Sequence, residues 1–211
     1  MTPPTDTPTM SQAQHAIRWV ALALLVFAAM FIALIARGLF DPRPCGPLAS
    51  STTPGPLALA ERGEKLIKQS APFGGQPRCY SGRLTAAYAG GETDSGYGLA
   101  VGNKEAVLVV AVSPLGDATV WQTVAGEDEP RYLLPWQPWP HVRQGIASNE
   151  IWLDVEEDDD GARVTARINR ELLWQGEVER LYPGAALWLG SFGGPVTVDF
   201  HTLDWFAVTE E

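Results

Sequence analysis

Eighteen consecutive apolar residues run from Trp19 to Ala36, with Arg18 and Arg37 as the first charges on either side. At about 1.5 Å per residue a helix of this length spans roughly 27 Å, close to the hydrocarbon thickness of a bilayer. The run has no polar face, so a buried core helix of a soluble domain does not suit it. Trp19 and Phe40 stand where interfacial anchors are useful. A cleaved signal peptide would have a shorter apolar core, with small residues before the cut. Leu34-Ile35-Ala36 offers no such pattern, and Pro42-Arg43-Pro44-Cys45 lacks a lipoprotein cleavage box. The expectation is one retained transmembrane helix over 18–37, behind a disordered tail at 1–17. Flanking charge does not orient it, because Arg18 faces Arg37 and Arg43 across the span.

The remainder reads as one water-soluble domain. From Pro44 onward there are 12 Lys and Arg against 23 Asp and Glu, a net charge of −11. That excludes a phosphate backbone as partner, so no nucleic acid is expected. The chain's two cysteines, Cys45 and Cys79, both follow the helix. They fit one disulfide in an oxidising compartment, or two unrelated thiols. A bridge would put the domain outside the cytoplasm.

Phe40 to Pro56 is rich in Pro, Ser, Thr and Gly and reads as a linker over 38–56. The domain is expected over 57–209. Pro56 to Ser70 could begin with a short helix, although Leu57, Leu59 and Leu66 make a poor helical stripe. Thereafter period-two patterning dominates. Strands are expected at Arg83–Tyr88, Tyr97–Gly102, Ala106–Val112 and Ala118–Val124. Others follow at Glu150–Glu156, Ala162–Ile168, Glu171–Glu177, Ala186–Phe192 and Val196–Val208. Pro135 to Pro140 holds three prolines and fits neither a helix nor an interior strand. About nine short strands with turns between them predict an all-β sandwich.

Several segments, in order, carry a family resemblance. They are Asp94-Ser95-Gly96-Tyr97-Gly98-Leu99, Ala106 to Trp121, Gln144 to Ile151 with Asn149, Ala166 to Trp174 with Asn169, and Gly184 to Phe206. Together they resemble the concanavalin A-like lectin and glucanase jelly roll, in the branch of laminin-G-like modules and bacterial keto-disaccharide-hydrolase-like domains. Arg170 stands where that pattern usually has glycine. The resemblance implies a two-sheet jelly roll over roughly Gly82 to Val208.

Catalysis is not expected. Glycosidases need paired carboxylates, and active members resembling this fold alternate them along one strand. The nearest string here is Glu150, Asp154 and Glu156 around Trp152. Asp154 and Glu156 would stand about 7 Å apart on one strand face; a solvated outer strand face with polar alternation is the preferred reading over a degenerate active face. Five acids, Glu156 to Asp160, make calcium conceivable, but their spacing follows no ligand loop. No cofactor is expected. His15, His141 and His201 form no zinc spacing with the cysteines.

Aromatics are more suggestive. Trp121, Trp136, Trp139, Trp152, Trp174, Trp188 and Trp205 follow the helix, with Trp188 and Trp205 expected in the core. Sugars stack apolar faces on such rings, with polar groups around them. Tyr132, Trp136, Trp139, His141 and Arg143 form the candidate ligand-binding group, for a glycan or a partner protein. The alternative is that the two loop tryptophans plug the sandwich edge. The reading is a membrane-anchored, non-catalytic, extracytoplasmic binding domain. The rivals are an accessory subunit of a larger membrane complex and a divergent glycoside hydrolase.

Overall fold

The computed structural model describes residues 10–36, 41–69, 73, 77–158, 161–179, 181 and 184–208. The chain divides into two compact units, 1–42 and 43–211. In the first, helix α1 (Met10–Ala36) contains the expected apolar run. Residues Ile17–Ala36 are long and apolar enough to cross a membrane, with a mean hydropathy of 2.8. The helix starts earlier than expected, inside the segment read as disordered. Gln12 to Ala16 contain neither Pro nor Gly, so nothing in them stops a helix extending toward the N-terminus. The tail prolines, Arg37 and Phe40 lie outside the described residues.

The second unit is an antiparallel β-sandwich. Its strands are β1 (Leu48–Thr52), β2 (Gly55–Leu59), β3 (Gly63–Gln69), β4 (Cys79–Gly91), β5 (Ser95–Gly102), β6 (Ala106–Val112) and β7 (Asp117–Val124). They continue as β8 (Arg131–Pro138), β9 (Asn149–Glu157), β10 (Ala162–Ile168), β11 (Glu171–Val178), β12 (Ala185–Ser191) and β13 (Val196–Ala207). One sheet has the order β1-β13-β4-β9-β10-β11, with β2 also on β13; the other has β3-β12-β5-β6-β7-β8. All nine strands expected from the sequence are present.

Four strands were not expected, and each is an edge element. β1 and β2 follow one another along one side of β13, pairing Ser50–Thr52 with Trp205–Leu203 and Gly55–Leu59 with Phe200–Val196. The expected linker over 38–56 is therefore part of the sandwich from Leu48 onward. There is no helix in 56–69; Leu57 and Leu59 stand two residues apart and pack on the core, as a strand requires. β8 carries Pro135 and Pro138 at the open edge of its sheet, where a missing N–H breaks no ladder bond.

The space between the sheets is filled by the inward residues of both. Tyr80, Leu84, Tyr97, Leu99, Ile151, Leu153, Phe200 and Trp205 are at most 2% exposed. Cys45 and Cys79 are bridged, with Cα atoms 5.8 Å apart. The bond ties the segment before β1 to the start of β4, and the Cys45 amide donates to Ser81 Oγ at 2.7 Å.

The asparagines of two resemblance segments meet. Asn169 Nδ2 donates to Asn149 Oδ1 at 2.8 Å and to His141 O at 2.7 Å. Buried Asn149 donates to Tyr97 Oη at 3.0 Å and accepts the Arg143 amide at 2.8 Å. The pair thus fastens the β8–β9 loop to the sandwich. Asn169 and Arg170 both take positive φ, 52° and 75°, the backbone of a two-residue hairpin turn.

Candidate functional site

Strand alternation gives the β3–β8 sheet a second, outward set of side chains. Across it, Ala186, Ala100, Val109, Trp121 and Tyr132 are register neighbours in turn. Beside them Trp188 is level with Leu66 on β3 and Gly98 on β5. This outer face has its own apolar cluster of Ala100, Val109, Ala111, Trp121 and Trp188, with Trp136 packed against it.

Two glycines make room for the rings. A Cβ on Gly190 would lie 2.5 Å from Trp188 Cη2, and one on Gly96 would lie 2.8 Å from Trp136 Cη2. The rings therefore lie down on bare backbone. They form a continuous series. Trp121 meets Trp188 edge-on at 4.8 Å, and Trp136 is 6.5 Å from Trp188 and 6.5 Å from Phe192. Tyr132 closes on Trp121 at 6.3 Å. Each such contact contributes about 0.5–1.5 kcal/mol beyond burial. The middle of the series is covered, with Trp188 3% and Trp121 7% exposed; its ends are open, with Tyr132 51% and Phe192 46% exposed.

At the Phe192 end lies an open depression of about 330 Å³, lined by Thr93, Asp94, Ser95, Ser113, Leu115, Asp117, Trp136 and Phe192. The start of β5, the β6–β7 turn and the end of β12 converge there. Phe192 N donates to Asp94 O at 2.8 Å and locks two of these segments together. Ser113 Oγ accepts the amides of Leu115 and Asp117 at 3.1 and 3.3 Å and donates to Asp117 Oδ2 at 3.2 Å. The β6–β7 turn thereby fixes the direction of the Asp117 carboxylate. Two rings, two carboxylates and hydroxyls around one hollow are what a ligand with an apolar face and O–H donors needs.

The five residues grouped from the sequence are only partly brought together. Tyr132 and Trp136 share the outer aromatic series. Trp139 packs instead against the inner core, 5.8 Å from the His141 ring. Arg143 lines a different hollow with Thr85, Ser148, Glu150, Asn169 and Arg170, and its Nη1 donates to Ser148 O at 3.2 Å. Trp188 is buried as expected, but under the outer series rather than between the sheets; Trp205 is in the inner core. Asp94, Asp117 and Phe192 were missed. Each falls inside a resemblance segment, but nothing local marks any of them as a site residue.

The carboxylate string of β9 is on the outer face of the other sheet. Trp152 is 3% exposed, whereas Glu150 and Asp154 are half-buried and Glu156 is exposed, so the expected solvated face holds for the carboxylates but not for the ring between them. Its register neighbours are Arg83 and Arg167, and Arg83 Cζ lies 5.8 Å over the Trp152 ring. Asp154 Oδ1 accepts from Ser81 Oγ at 2.6 Å and Trp152 Nε1 at 2.7 Å, and Arg167 Nε is 3.8 Å from Oδ2. Burial raises the Asp154 pKa above the ordinary aspartate range, against the pull of these partners. Glu150 faces Arg170 at 3.8 Å. Within the acidic run, Asp159 and Asp160 lie outside the described residues. Among the described residues no group of three His, Cys, Asp or Glu could hold a metal ion.

No family model and no curated protein matches the chain. Solved structures do. One is a GH43 glycoside hydrolase engineered to display both endo-xylanase and exo-arabinofuranosidase activity, at 10% identity and a TM-score of 0.50; the match covers 76% of this chain and 36% of that one. Another is carbohydrate binding module CBM66 from Bacillus subtilis, at 12% identity, 75% and 94% coverage and a TM-score of 0.48. A third is the CBM40 of Ruminococcus gnavus IT-sialidase bound to alpha2,3 sialyllactose, at 13% identity, 78% and 95% coverage and a TM-score of 0.48. At such identities the likeness is one of fold. What residues 43–211 share with them is the two-sheet antiparallel β-sandwich.

Proposed function

We propose that this protein is a membrane-anchored, non-catalytic β-sandwich that binds a glycan outside the cytoplasm, in the depression between Trp136 and Phe192. The observation that carries the reading is the pairing of those two rings with Asp94 and Asp117 around one open hollow. A pyranose has an apolar face that a ring covers and hydroxyls that carboxylates accept from. The order of the resemblance segments favours the laminin-G-like and keto-disaccharide-hydrolase-like branch.

The non-catalytic part rests on Asp154. Its two oxygens are engaged by Ser81, Trp152 and Arg167, so it is held as a structural acceptor rather than presented to a substrate. Anchoring rests on Ile17–Ala36, and location outside the cytoplasm on the Cys45–Cys79 bridge. A glycan array probed with the full chain in detergent micelles tests the reading. Binding to a defined set of saccharides is expected; a blank array, with the sandwich shown to be folded, overturns it.

An accessory role in a larger membrane complex is the second reading. It is favoured by Ala21, Ala23, Ala28, Ala29 and Ala33 in the apolar helix, because small residues allow close helix approach. Co-purification of other membrane proteins in mild detergent supports it, and a lone monomer sinks it.

A further inference from the structure

Resting on the glycan reading, we infer that the Trp136–Phe192 depression selects uncharged sugars and rejects acidic ones. Its charged lining is Asp94 and Asp117 alone; no Lys, Arg or His is among the described residues that line it. Asp94 is solvent-exposed, and its backbone is fixed by the Phe192 amide on its carbonyl and by its own amide on Glu92 Oε1 at 3.0 Å. Among the described residues Asp117 receives Ser113 Oγ on Oδ2 and nothing on Oδ1, which leaves Oδ1 for a ligand.

Ionised carboxylates accept hydrogen bonds and donate none. They therefore favour a partner made of O–H or N–H donors, such as the hydroxyls of a neutral hexose or an N-acetylhexosamine. A uronic acid, a sialic acid or a sulfate ester would bring a third negative charge to the hollow with no cation to receive it. The surrounding domain, at −11 from Pro44 onward, adds repulsion of the same sign rather than relief.

The test uses matched pairs of oligosaccharides that differ by one acidic group, such as N-acetyllactosamine with its sialylated form and xylo-oligosaccharides with and without a glucuronic acid branch. They are titrated against the full chain in micelles at low ionic strength. For whichever pair binds, the acidic member should bind roughly tenfold more weakly, the scale of one unscreened like-charge contact. Asp94→Asn with Asp117→Asn, checked for an unchanged melting midpoint, should shrink that ratio toward one and lower the affinity for the neutral member. Equal or tighter binding of the acidic member overturns the selectivity while leaving the glycan reading intact. Failure of every neutral and acidic sugar to bind overturns the glycan reading, and this inference with it. If the double variant folds and keeps the full discrimination, the two carboxylates are not its source.

Discussion

Trp136 lies directly over Gly96: a methyl group on that glycine would stand 2.8 Å from Trp136 Cη2 and 3.0 Å from Trp188 Cζ3. Two rings from different strands share the space that one absent side chain vacates. Gly96→Ala should therefore lift or tilt Trp136, destabilise the sandwich by about 1–3 kcal/mol and widen the depression. Gly194→Ala is the control, because nothing lies within 4 Å of its would-be Cβ. Thermal unfolding of the two variants decides the matter. Equal midpoints would mean that Gly96 is not the seat of the ring.

The Cys45–Cys79 bridge closes 34 residues that include β1, β2 and β3. All three are edge strands with few partners of their own. Replacing both cysteines by serine should cost about 2–4 kcal/mol, with the protection of β1–β3 amides from hydrogen exchange lost before that of β5–β7. Alkylation of the native chain without reductant should label neither cysteine. Labelling would refute the bridge and, with it, the basis for locating the domain outside the cytoplasm.

Burial holds the Asp154 carboxyl above its usual range, while Ser81, Trp152 and Arg167 oppose that and Glu156 adds to it. A raised folded pKa means that the contribution of this group to stability is fully present below its unfolded value, about 3.9. It is lost as pH rises through the folded value. Asp154→Asn removes the titration and keeps an oxygen for Ser81 and Trp152. The stability of the variant relative to wild type should therefore rise between about pH 3 and pH 7. A difference independent of pH would contradict the assignment.

Alkaline carbonate extraction of cell membranes should leave the full chain in the pellet, and deletion of 17–36 should release it. A soluble product beginning after Ala36 would identify the helix as a processed leader instead.

What was legible in the sequence follows from what local pattern encodes. β9 and β10 alternate cleanly because one face of each meets the core, and the Asn169-Arg170 turn closes β10. Leu57 and Leu59 carry the same period, yet their strand is too short and too rich in Pro and Gly to declare itself without β13 beside it. β8 hides its strand character behind two prolines that only an edge tolerates.

For the site, aromatic content pointed to Trp136 and Tyr132, while the structure places Trp139 on the inner core and Arg143 in another hollow. A strand that ends at Pro138 alternates its residues between the faces, with Trp136 outward and Leu134 on the inner core, and releases those after it into a loop. Phe192 and Asp117 are 75 positions apart in the sequence and meet only through sheet topology. Trp188 could be read as buried but not as facing outward, because its cover is other rings rather than the opposite sheet.

The most direct measurement is a calorimetric titration of the full chain and its Trp136→Ala variant with the strongest saccharide from the array, with Arg143→Ala alongside. Loss of affinity by tenfold or more in Trp136→Ala, about 1.4 kcal/mol, and no change in Arg143→Ala is the predicted result. An unchanged affinity in a folded Trp136→Ala, or a loss confined to Arg143→Ala, would contradict it.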